Sequence, residues 1–165
     1  MKIIDIPLQH GGGKQTPNQI IIHAMAEFVE LDKATAAKFH VKPGPLHALL
    51  FLQAAGLSEH TLITPAGITI RSRPADLKAW HAKNHNVDSL GIAFLVPGNH
   101  DYASFIWAME TDYVTPLAYR AGLDQVRTWC DHWQIDDITT HSAVDPRRKF
   151  DPGHGFPYDK FLQDL

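Results

Sequence analysis

Cysteine is almost absent. Cys130 stands alone among 165 residues, which excludes an internal disulfide and any cysteine-rich zinc cluster. It leaves the redox compartment open. Long hydrophobic runs are also absent. No stretch approaches the roughly 18 apolar residues needed to span a bilayer, so no stable membrane association is expected. The opening segment MKIIDIPLQHGGGK has one early lysine and a short apolar run that Gln9 and His10 interrupt, too early for a signal-peptide core. Synthesis in soluble form in the cytoplasm is the expectation. Excess positive charge is missing too: the net charge is -3 with histidine neutral, which removes the electrostatic case for nucleic acid. No repeat, low-complexity tract or long linker divides the chain. Its length suits one domain over residues 1–165, expected to be a monomer.

What the sequence has in excess is histidine, 11 in all. Histidine is the commonest metal ligand, so the excess favours a metal site without saying which histidines form it. Apolar residues at 44% and charged residues at 20% are close to globular averages and argue for a packed core.

The coarse pattern alternates strands and helices. Residues 19–24 (QIIIHA) read as a buried strand. Residues 45–55 read as a helix with Pro45 in its first turn and Gly56 as its stop. Two β-rich runs in 58–73 flank Pro65-Ala66-Gly67 as a hairpin. Residues 89–96 (SLGIAFLV) read as a second buried strand, ended by Pro97-Gly98. Residues 116–133 carry helical spacing at Leu117, Leu123, Val126, Cys130 and Trp133. Residues 135–140 read as a short strand or loop, 142–157 as a loop, and the last residues as a short helix. The fold class is α/β: one domain with a central mixed β-sheet flanked by helices.

Several residues carry possible chemistry. His23 ends an apolar strand run; alone it reads more readily as a core histidine, although a strand end is a rigid place to hold a metal. His141 and Asp151 bracket HSAVDPRRKFD, which also holds Lys149. A solvated charged loop explains that segment equally well. A catalytic zinc needs three protein ligands and an open position, and two histidines with one carboxylate meet that count. Glu59 precedes a strand, where exposure is the default and proton transfer the alternative. Trp80, His81 and Asn86 lie in a loop, either a polar turn or a substrate rim. The aromatic stretch 99–116 forms a groove rim or packs as a loop, with packing the default.

Taken in order, these segments resemble the zinc N-acetylmuramoyl-L-alanine amidases, a family that includes small phage amidases, bacterial muropeptide amidases and peptidoglycan recognition proteins. IIIHAM resembles the first ligand strand. LSEHTLITPAG resembles the passage from a helix into a strand and a Gly turn. AWHAKNHNVDSLGIAF resembles the Trp-His loop with its Ser-x-Gly-Ile. HSAVDPRRKFDPGHGFPYD resembles the closing metal loop and is the most specific of the four.

The resemblance implies a zinc ion held by His23, His141 and Asp151, with Lys149 near the metal and facing the substrate carbonyl. Some members carry a glutamate just after Ser-x-Gly-Ile, where this chain has Ala93. Others place the side chain just before the histidine of the second strand, here Glu59, which takes the proton-transfer role. His60 is then its structural neighbour on the opposite sheet face. Trp80, His81 and Asn86 would line the groove for peptidoglycan or a muropeptide. Three functions follow. One is a phage endolysin that acts on the wall after another protein opens the membrane. The others are a cytoplasmic amidase recycling anhydro-muropeptides and a non-catalytic peptidoglycan binder.

Overall fold

The computed structural model describes residues 2–165. The chain runs through β1 (Lys2–Asp5), β2 (Gln19–Leu31), α1 (Lys33–Lys38), β3 (Gly44–His47), α2 (Ala48–Ala55), β4 (Thr61–Ile63), β5 (Ile68–Arg71) and β6 (Ser89–His100). It continues through α3 (Tyr102–Met109), α4 (Pro116–Trp133), β7 (Asp137–Thr140), α5 (His141–Val144) and α6 (Tyr158–Gln163). The strands form one mixed sheet in the order β1-β5-β4-β6-β2-β3, with β7 also pairing β2.

β2 is the spine. It runs parallel to β6 along nearly its whole length, while its other edge is shared. β7 pairs with Gln19–Ile22 in parallel, and β3 pairs with Phe28–Leu31 in antiparallel. Strand alternation divides its side chains between two cores. Ile20, Ile22 and Ala24 enter the cluster with Ile92, Phe94, Val126 and Trp129, whereas Met25 packs with the cluster of Leu49, Leu52, Leu62 and Ala93.

α4 follows the expected boundaries. Thr115 caps it by accepting from Ala118 N at 3.1 Å, and Pro116 opens it, a position where a missing N–H costs nothing. The helix lies close on the sheet at Gly122, where a Cβ would stand 2.2 Å from the Phe94 ring. The expected hairpin is also present. β4 and β5 pair through Ile63↔Thr69, and Gly67 takes a left-handed φ of 74° in the turn. Residues 135–140 contain strand β7, and the chain closes on helix α6.

Several boundaries differ from the sequence reading, among them β2, which runs on to Leu31, and the expected loop 142–157, which overlaps helix α5. The helix expected from Pro45 begins at Ala48, because residues 44–47 pair as an edge strand against the extended β2. His47 caps the helix, its Nδ1 accepting from Leu49 N at 3.2 Å; Gly56 ends it in the left-handed region as expected. Strand β6 does not stop at Pro97-Gly98. Ala26 pairs with Val96 and Phe28 with Asn99, so Pro97 and Gly98 together face Glu27. That is a β-bulge, which absorbs a proline that regular pairing excludes. The stretch 99–116 is helix α3 for eight residues; it packs Ala108 and Met109 inward and presents Tyr102, Phe105 and Ile106 to the main cavity.

Candidate metal centre and active site

The register of β7 on β2 builds the centre. Thr140 is the partner of Ile22, so His141 emerges one step further, beside His23. Their Nδ1 atoms lie 2.9 Å apart. The chain turns through α5 and returns when Ser142 N donates to the Asp151 carbonyl at 2.9 Å. This carries Asp151 Oδ2 to 3.2 Å from His23 Nδ1 and 3.0 Å from His141 Nδ1. Tyr113 fixes the far side of the loop, donating its hydroxyl to Pro152 O at 3.0 Å. All three donor residues are buried.

This triangle fits a metal ion. Ligand atoms about 2.0–2.2 Å from a tetrahedral zinc stand roughly 3.4 Å apart, and the observed edges of 2.9, 3.0 and 3.2 Å are close to that face. Two imidazole nitrogens and one carboxylate are a common catalytic zinc set. The buried His141 Nε2 has no hydrogen-bond partner among the described residues. Burial pushes the His23 imidazole down to about 4, against the pull of Asp151, so His23 is neutral at pH 7, as a ligand must be. Burial pushes the Asp151 carboxyl up, but its contacts with His141 and His23 outweigh that and hold the group well below the usual carboxylate range. A second group of donors, His23, Glu59 and His81, shares His23 with the first.

Glu59 lies beside the triangle. It precedes β4, and its Oε1 is 3.9 Å from His23 Nε2. It is 5% exposed, and among the described residues its Oε2 has no hydrogen-bond partner. Burial and then the charge of Asp151 raise its pKa well above the ordinary value, with Lys149 pulling the other way. Exposure, the default for an acid at a strand start, is therefore not what the fold provides. Room for the carboxyl comes from Gly91, where a Cβ would lie 2.1 Å from Glu59 Oε2 and 2.6 Å from His81 Nδ1. Gly91→Ala should displace Glu59 and crowd His81, lowering turnover at saturating zinc about 10²-fold, the cost of a misplacement near 1 Å. Metal content and kcat measured together check this; unchanged kcat would contradict it.

His60 points away from the cavity. A bend at His60 separates it from the regular strand, and its ring packs edge-on to Trp129 of α4. Its Nδ1 accepts from Gly91 N at 3.0 Å and its Nε2–H donates to Leu77 O at 2.9 Å, so it is a neutral structural histidine. Burial lowers its pKa to about 4. In the unfolded chain it titrates near 6.5, so between pH 6.5 and 4 the unfolded state binds the extra proton. Stability from His60 is complete above pH 6.5 and is lost as pH falls towards 4. From pH 7 to pH 5 the loss is about 2 kcal/mol. Urea unfolding at both pH values should show a drop smaller by that amount in His60→Gln than in wild type; equal drops would contradict the assignment.

The cavity over the centre has a volume of about 860 Å³. Trp80, His81 and half-buried Lys149 line it with the three candidate ligands and Glu59. Among the described residues Lys149 forms no ion pair, whereas neighbouring Arg148 pairs with Asp145. Asn86 is not brought to the cavity wall. Its Oδ1 accepts from His81 N at 3.0 Å and Ala82 N at 2.8 Å, and so pins the Trp-His loop. Sequence reasoning weighed 99–116 as a groove rim with packing as the default, and it singled out neither Tyr113 nor any α3 side chain. Their only signal was the aromatic content of 99–116.

Comparisons with known proteins agree with this architecture. The sequence matches the family model described as N-acetylmuramoyl-L-alanine amidase over residues 13–154. No curated protein matches it significantly by sequence. Among solved structures, the N-acetylmuramoyl-L-alanine amidase LysC from Clostridium intestinale URNW is 20% identical, with 100% of this chain and 97% of that one covered at a TM-score of 0.68. A selenomethionine derivative of AmpD is 21% identical, covering 99% and 94% at 0.71. The Staphylococcus aureus hydrolase AmiA, solved with its ligand, is 17% identical, covering 99% and 81% at 0.65. These likenesses establish the shared fold. The matched span of the family model begins ten residues before His23 and ends three after Asp151, and on that match this chain belongs to the N-acetylmuramoyl-L-alanine amidase family.

Proposed function

We propose that this protein is a zinc-dependent peptidoglycan hydrolase that cleaves the amide between the lactyl group of N-acetylmuramic acid and L-alanine, in the manner of an endolysin. The observation that carries the reading is the His23–His141–Asp151 triangle with Glu59 and Lys149 facing one cavity. His23, His141 and Asp151 would hold the metal. Zinc bound there supplies Lewis acidity, acidifying water and polarising a carbonyl.

The chain's own groups supply the rest. Glu59 takes a proton from the attacking water and returns it to the leaving alanine nitrogen. Its desolvated carboxyl, with a raised pKa, suits a group that must both accept and release a proton near neutrality. Lys149 places a cation where the carbonyl oxygen gains charge. Trp80 gives the cavity rim an aromatic face, 38% exposed, for stacking on sugar or peptide. Substrate therefore sits between the Trp80 loop and α3, with its amide over the triangle. The active unit is a monomer.

Mass spectrometry of digested peptidoglycan tests the bond. A new free L-alanine amino terminus is expected, and binding without any product would leave a non-catalytic binder. Intact walls and soluble anhydro-muropeptides should be offered in parallel. Loss of wall turbidity is expected of an endolysin. Cleavage confined to the soluble fragments would overturn that assignment in favour of recycling.

A further inference from the structure

His81 does more than line the cavity, and the hydrogen-bond chain behind it has one direction. Ser89 is fully buried, and its Oγ donates to the His85 carbonyl. A serine hydroxyl has one proton, so toward His81 the same Oγ can only accept. His81 Nε2 lies 3.1 Å from it and must carry the ring proton. His81 Nδ1 is then a bare lone pair. It lies 2.9 Å from His23 Nε2, and two nitrogens at that distance need one proton between them. His23 Nε2–H therefore donates, which leaves His23 Nδ1 unprotonated in the triangle with His141 and Asp151.

We propose that His81, anchored by Ser89 and the His85 carbonyl, is a positioning residue that fixes the tautomer and ring angle of His23 so that Nδ1 is presented to the metal. This rests on the metal reading of the triangle. It adds the outer partner that a ligating histidine generally needs to set its orientation and basicity. The reversed chain, with Ser89 donating to His81, would leave two acceptors, Ser89 Oγ and His85 O, facing each other without a proton. The surrounding loop is fixed in place. Asn86 pins the His81 and Ala82 amides, and the missing Cβ at Gly91 leaves space beside His81 Nδ1. The two rings meet at 80°, centroids 5.1 Å apart. An edge-on donor thus points at a lone pair.

Two measurements on the full chain test this. In 15N-labelled wild type, long-range nitrogen–proton spectra with and without added zinc should show His81 protonated on Nε2. They should also show a scalar coupling across the hydrogen bond from His23 Nε2 to His81 Nδ1. A His81 ring protonated on Nδ1 would overturn the proposal, whether or not zinc binds. Zinc affinity by chelator competition should fall about 10–100-fold in His81→Leu and recover to within about threefold in His81→Asn. The Asn carbonyl oxygen takes the place of Nδ1, and loss of a merely structural ring would weaken both variants alike. Equal weakening would also overturn it. Absence of zinc binding in wild type would instead remove the zinc reading, and the spectra without zinc would still decide the tautomer.

Discussion

Glu59→Gln should keep its zinc and lose turnover by about 10²–10⁴-fold, the usual contribution of a general base. The swap is nearly isosteric, and burial already drives this carboxyl toward its neutral form, so the fold should tolerate an amide there. What the amide cannot do is accept a proton and return it. The position is unusual for a surface-type residue: buried, 3.9 Å from the nearest nitrogen of His23, with Oε2 left without a partner. An unpartnered buried oxygen costs about 1–3 kcal/mol, a cost that function can explain and packing cannot. Ala93, the register neighbour of His23 on β6, offers no acid, so Glu59 is the acid available at the triangle's side. Hydrolysis of peptidoglycan by Glu59→Gln at the wild-type rate would remove Glu59 from the reaction.

Removing a ligand should do more. In His141→Ala or Asp151→Ala, zinc affinity should fall by more than the roughly 10–100-fold expected of an outer-shell change, and turnover should drop to background. The effect also reads out as stability. A metal that binds only the folded chain adds RT ln(1 + [Zn]/Kd), about 2.7 kcal/mol when zinc is at 100 times Kd. Wild type should therefore melt higher with zinc. The ligand variants should show no such shift at the same zinc concentration. A full shift in Asp151→Ala would mean that the ion sits elsewhere, for instance between His23, Glu59 and His81.

Much of this fold was legible in the sequence because local signals and tertiary demands agreed. The β-branched run at 19–24, the turn at Pro65–Gly67 and the helix read from apolar spacing over 116–133 all appear where local pattern places them. Two of the misreadings share a cause, which is long-range pairing. Residues 44–47 look like a helix start until β2, continuing through Phe28–Leu31, recruits them as an edge strand. Pro97-Gly98 looks like a stop until a bulge opposite Glu27 carries β6 through it.

The site divides in the same way. His23, His141, Asp151 and Lys149 were marked by the family resemblance, and the meeting of His23 with His141 follows from one register, Ile22↔Thr140. The inward turn of Glu59 depends on a bend at His60, and the placement of Asn86 depends on two backbone amides. Neither leaves a periodic trace. The direction of the Ser89–His81–His23 chain needs distances that no sequence spacing contains.

The central claim is that His23, His141 and Asp151 hold one zinc ion. Its most direct test is the metal content of the purified full chain, equilibrated with zinc, dialysed against metal-free buffer and assayed beside His141→Ala. One zinc per wild-type chain and essentially none in the variant is the expected result. A folded wild-type chain without stoichiometric zinc, or a variant that retains it, would contradict the claim.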